Sequence, residues 1–133
     1  MARHFTILVV DDDVRVREAI RTILCHDHHD VVTASNGVEA LAEAMHEGPD
    51  LVLLDLTMPG MDGHEVIKLL RCCDVTFDVP IIALAERGDE DAELTFKEGA
   101  DDLLTKPFAP AHLRARVKTW LLRGGHSNQR AAA

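Results

Sequence analysis

Short runs of Val, Ile and Leu without polar alternation punctuate the chain: "FTILVV" from Phe5, "LVLLDL" from Leu51, "VPIIALA" from Val79 and "DLLT" from Asp102, with "DVVTAS" from Asp30 as a fifth strand candidate. Strands buried on both faces read this way. Between them lie helix-length segments of mixed apolar and charged residues: Val14 to Cys25, Gly37 to His46, His64 to Cys72, Asp89 to Glu98, and Pro110 to Leu122. The last carries Leu113, Val117, Trp120 and Leu121 at near-helical spacing. Strands alternating with helices imply parallel strands joined by right-handed crossovers, so the pattern predicts a doubly wound α/β domain of (βα)5 type with helices on both sheet faces. End signals agree. Asp13 is placed to cap the first helix, Asn36 stands three residues before Glu39 in a relative of the capping box, and Gly48-Pro49 ends the second helix. The expected domain runs over residues 1–123, and residues 124–133 read as a flexible tail or the start of a linker.

Composition narrows the class. A chain of 133 residues, 47% hydrophobic and 28% charged, fits one soluble domain and neither a disordered nor a membrane protein. The net charge of -9 argues against direct nucleic-acid binding by this domain, which needs a basic face. The N-terminal apolar run is too short for a signal peptide, and no stretch approaches the ~18 apolar residues of a membrane span, so a cytoplasmic setting is expected. Cys25, Cys72 and Cys73 lack a disulfide or zinc pattern and read as reduced, structural residues.

In open α/β sheets, ligands bind beyond the carboxyl ends of the strands where strand order reverses. Just after the apolar runs stand Asp11, Asp12 and Asp13, then Asp55, then Ala85 and Glu86, then Lys106-Pro107. If the first and third strands are neighbours, carboxylates converge at one edge and cannot all stay ionised unless a cation joins them. Hard oxygen ligands at a wet mouth favour Mg²⁺. A carboxylate beside such an ion and within reach of a lysine is a competent nucleophile toward phosphorus, so Asp55 could become an acyl phosphate.

The chain resembles the response regulator receiver domain of bacterial two-component signalling over Phe5 to about Arg123, through "ILVVDDD", "LVLLDLTMPGMDG" and "GADDLLTKPF" in this order and spacing. The resemblance implies a flavodoxin-like fold with strand order 2-1-3-4-5. It implies that Asp55 is the phosphoacceptor, that Asp11 and Asp12 hold Mg²⁺ with it, that the Thr57 backbone carbonyl joins them, and that Lys106 pairs with the phosphoryl group. A sensor histidine kinase would be the phosphodonor, and a downstream protein or effector domain the recipient of the signal. Such a domain is a signalling phosphoacceptor rather than an enzyme.

Two positions depart from the family pattern. Where the family usually carries Thr or Ser on the fourth strand, this chain has Ala85; where it usually carries Tyr or Phe on the fifth, it has Leu103. Both members of a coupled switch are replaced, which keeps open an alternative: a phosphorylation-independent pseudo-receiver acting as a protein-protein interaction module. A haloacid-dehalogenase-type phosphohydrolase would need an aspartate at position 57, which is Thr, and an aspartate-ringed mouth would repel a flavin phosphate. "CHDHHD" (25–30) reads as a solvated loop rather than a zinc site. Some receiver subfamilies form symmetric dimers through acids of the fifth strand and arginines of the last helix. Asp101, Asp102, Arg116 and Arg123 could serve such a homodimer, whereas His112 and Ala92 fall where further charged partners are expected. Arg87, like Thr57, sits where family members vary acyl phosphate stability.

Overall fold

A computed structural model describes residues 4–124, so the expected tail, Gly124 apart, lies outside the described residues. The apolar runs form β1 (Thr6–Val10), β2 (Asp30–Ala34), β3 (Leu51–Asp55), β4 (Ile81–Glu86) and β5 (Asp102–Lys106). The intervening segments form α1 (Val14–His26), α2 (Gly37–Glu47), α3 (Gly63–Arg71), α4 (Ala92–Glu98) and α5 (Pro110–Arg123). All pairings are parallel and the sheet order is β2-β1-β3-β4-β5, the flavodoxin-like receiver order.

Alternation along the strands builds two cores. Ile7, Val9, Leu53, Leu84 and Leu104 pack with Ile20 and Leu24 of α1 and Leu113, Val117 and Leu121 of α5. On the other face Leu8, Val10, Val52, Leu54 and Ala83 meet Ala40 and Ala44 of α2 and Val66, Ile67 and Leu70 of α3. All five residues of β3 are buried, which is why its sequence shows no polar alternation before Asp55.

Capping fixes where the helices begin. Asp13 accepts the Arg15 N–H (2.9 Å) and Asn36 the Glu39 N–H (2.9 Å), as expected. Glu39 returns to the Ser35 N–H at 2.9 Å, one residue before the cap. Gly48 closes α2 in the left-handed conformation. The fourth helix is shorter than its sequence suggests, starting at Ala92 rather than Asp89. Gly88 takes φ 93°, the Glu90 carboxylate accepts the Gly88 N–H at 2.7 Å, and Asp91 caps through the Leu94 N–H at 3.1 Å. Arg87 and Gly88 thus form a turn, closed by the Asp89 N–H donating to the Glu86 carbonyl at 3.0 Å, so the helix does not begin at Asp89. The cysteines also correct an expectation: Cys25 and Cys72 are exposed, so their side chains do not pack the interior.

Candidate functional site: an acidic pocket at the rim of the sheet

Strand order decides the site. With β1 beside β3, Asp11 just past the end of β1 and Asp55 at the end of β3 come together, and Asp12 completes the group. One carboxylate oxygen from each of Asp11, Asp12 and Asp55 lies within 4.8 Å of the others. Asp11 is fully buried, Asp55 is 2% exposed, and Asp12 is exposed at the mouth.

Local bonds hold these groups in place. Asp11 accepts the Asp13 N–H at 2.9 Å, and its own carbonyl accepts Nη1 of Arg17 at 2.7 Å. The Thr57 N–H donates to Asp55 Oδ1 at 3.1 Å, while the Thr57 side chain lies at the exposed start of the loop. That loop turns through Gly60 at φ 80° and enters α3 at Gly63. A Cβ at Gly63 would stand 2.5 Å from the Asp55 carbonyl oxygen and 2.6 Å from the Leu56 Cα. Only glycine lets α3 start this close to the end of β3.

Lys106, the last residue of β5, reaches past the end of β4 to the acids. Its Nζ stands 2.8 Å from Asp11 Oδ2, 3.5 Å from Asp55 Oδ2 and 3.7 Å from Glu86 Oε1. The peptide joining it to Pro107 is cis. Burial works against the ammonium, yet the Asp11 hydrogen bond and the charges of Asp11, Asp55 and Glu86 outweigh it and raise its pKa. Asp55 is likewise raised above an ordinary carboxylate, up to about 6, chiefly by burial. The Thr57 N–H opposes that rise, the Asp11 charge adds to it, and the Lys106 charge offsets part of it.

The donor set fits a hard divalent cation. Three carboxylates crowd one point, two of them buried, and a single lysine cannot neutralise them all. Such a pocket can bind Mg²⁺ and presents Asp55 as a nucleophile with a cation at hand.

The two positions expected to depart from the family pattern lie on β4 and β5. Ala85 is 2% exposed near the end of β4, and Leu103 packs, half-buried, against the same core cluster. Arg87 is exposed in the following loop. Several partners were not legible in the sequence. Glu86 faces Lys106, and Arg17 clamps the acidic loop. Asp101 accepts Arg71 at 2.8 Å and the Ile81 N–H at 2.9 Å, binding within the chain rather than facing α5. Asp102 does meet Arg116 (2.5 Å) and also Trp120 Nε1 (2.8 Å), while Arg123 lies over the Trp120 ring. In the "CHDHHD" loop, Asp27 is held by Arg114, and the His29 ring leans on Phe5. No helix among the described residues is long and apolar enough to cross a membrane.

A doubly wound sheet with an acidic pocket and a facing lysine at the carboxyl ends of its strands defines a phosphoacceptor-type signalling class. A sequence profile described as the response regulator receiver domain matches residues 7–118, and the chain belongs to that family. The chain is similar to the phosphate regulon transcriptional regulatory protein PhoB of Pseudomonas aeruginosa, 41% identical over 127 residues and covering 95% of this chain and 56% of that protein. It is also similar to the alkaline phosphatase synthesis transcriptional regulatory protein PhoP of Bacillus subtilis, at 45% over 118 residues, 88% of this chain and 48% of that one. The chain thus spans about half the length of these curated relatives. Among solved structures, the receiver domain of the Francisella response regulator 1452 superposes with a TM-score of 0.80 at 32% identity, covering 90% of this chain and 98% of that chain. The chemotaxis protein CheY4 of Vibrio cholerae does so with 0.82 at 30%, covering 88% and 98%.

Proposed function

We propose that this domain takes a phosphoryl group from the phosphohistidine of a sensor histidine kinase onto Asp55, in the cytoplasm, and passes the signal to a downstream protein or a linked effector domain. An Asp55 oxygen forms the bond to phosphorus as the phosphorus–nitrogen bond breaks, and the electron pair leaves with the imidazole. Asp11, Asp12 and Asp55, with the Thr57 carbonyl, would hold Mg²⁺, which when bound offsets negative charge on the transferring group. Lys106 supplies a second positive charge, its Nζ 2.8 Å from Asp11 Oδ2 and 3.5 Å from Asp55 Oδ2. The observation that carries this reading is the buried Asp11–Asp55 pair facing the Lys106 ammonium. With a net charge of -9, the domain itself is not the part that binds nucleic acid. Incubation with acetyl phosphate and Mg²⁺ should add one phosphoryl group by intact mass, and Asp55→Asn should abolish the gain. Failure of the natural chain to gain it would sink the proposal.

Ala85 and Leu103 favour a second reading, a module that works through protein contact without phosphorylation. The two readings part on the partner: a contact module binds it equally well as the natural chain and as Asp55→Asn. A homodimer through β5 and α5 is open to either reading, although Asp102 already engages Arg116 of its own chain.

A further inference from the structure

Two of the carboxylates around Lys106 belong to the pocket on the β1 and β3 side. The third comes from its neighbouring strand. The β4–β5 register pairs Glu86 directly with Lys106, and the Glu86 carboxylate stands 3.7 Å from Nζ with 54% of its side chain exposed. Since β4 lies between β3 and β5, the lysine must pass the end of β4 to reach Asp11 and Asp55. Glu86 stands at that crossing, next to Ala85, whose side chain offers no polar atom.

We propose that Glu86 is a positioning residue for Lys106 that competes with the phosphoryl group for the ammonium, so that it sets how tightly the loaded state of Asp55 is held. This rests on Asp55 being the phosphoacceptor. Lys106 has three donors, and in this structure Asp11 takes the one true hydrogen bond, at 2.8 Å. Asp55 and Glu86 share what remains as longer ion pairs. An anionic group arriving on Asp55 needs the same ammonium, and it meets Glu86 as a like charge nearby. Being half exposed, the Glu86 carboxylate can swing to water at little desolvation cost. Its release would mark occupancy of Asp55 at the end of β4, a position where Ala85 has no hydroxyl to do so.

The test is the affinity for beryllofluoride with Mg²⁺, read by fluorine NMR on the natural chain, Glu86→Gln, Glu86→Ala and Asp55→Asn. Both Glu86 variants should bind about two- to fivefold more tightly at low salt, the range expected for a partly exposed ion pair. That ratio should shrink toward one at ~1 M salt, where charges are screened within a few ångströms. A merely structural role would not give this salt dependence. Equal or weaker binding by the variants, or a gain that ignores salt, overturns the role of Glu86 while leaving the phosphoacceptor reading intact. Binding by none of the chains, the natural one included, overturns both.

Discussion

Asp55 is held in a state that costs folding energy until something neutralises it. Its carboxyl sits at about 6 against 3.8 for an ordinary aspartate, mainly because it is buried. Below both values the group is protonated in the folded and unfolded chain and contributes no pH dependence. As pH rises between them, the unfolded chain releases its proton first, so the folded state loses stability through that window and the penalty is complete above about 6. Two units correspond to roughly 3 kcal/mol at most. In metal-free solution, Asp55→Asn should therefore unfold at higher urea than the natural chain at pH 8, with the gap narrowing toward pH 4. Asn can still accept the Thr57 N–H. An Asn variant less stable at pH 8 would contradict this. Mg²⁺ should stabilise the natural chain by mass action, and chelation should reverse the gain. The same titration on Asp55→Asn should give a much smaller rise in melting temperature.

At the scale of elements, the strands were legible because a strand covered on both faces needs apolar residues at every position, and β3 is buried throughout. Asp13, Asn36 and Gly48 announced helix ends through short-range bonds that a sequence window contains. The start of α4 was not legible: several acids in "ERGDEDAE" can cap, and only the turn at Gly88 selects Asp91. The convergence of Asp11, Asp12, Asp55 and Lys106 could be inferred only by assuming strand order. Arg71 was invisible for a related reason. At a helix end it reads as a dipole-compensating charge, yet its guanidinium bonds the carbonyls of Gly99, Thr76, Phe77 and Val79 and the Asp101 carboxylate. Some of these partners lie 28 and 30 residues away. Arg71 thus ties α3 to the approaches of both β4 and β5. Arg71→Met should cost about 3 kcal/mol, as removing one side of a partly buried ion pair does; a loss under ~1 kcal/mol in urea unfolding would show these bonds to be replaceable by water. Gly63→Ala acts nearer the site. Its methyl must separate α3 from β3, costing about 1–3 kcal/mol, and under the proposed function it should slow the phosphorylation of Asp55 by acetyl phosphate. An unchanged melting curve would mean that α3 shifts freely.

For the whole molecule the question is how a change at Asp55 travels across the sheet. A trigger moves a two-state protein only by its differential affinity for the two states. A hydroxyl at the end of β4 would add a hydrogen bond to a charged phosphoryl group, about 1.5–3 kcal/mol, equivalent to roughly 10- to 150-fold in the equilibrium. Ala85 forgoes it, and the half-buried Leu103 packs on the same cluster without a polar tip. The natural chain should therefore show little change in deuterium uptake across β4 and β5 on binding beryllofluoride. Ala85→Ser should enlarge that change for two reasons that point the same way. In the resting chain its hydroxyl would lie in a site only 2% exposed, which weakens the resting state unless a partner turns up. In the chain loaded with beryllofluoride, the bound group would be that partner. The single tryptophan gives an independent optical readout, because Trp120 donates to Asp102 at the start of the strand that ends in Lys106. Its emission should shift more in Ala85→Ser than in the natural chain. Equal responses in the two chains, by exchange and by fluorescence, would show that the signal leaves Asp55 by a route in which the end of β4 takes no part.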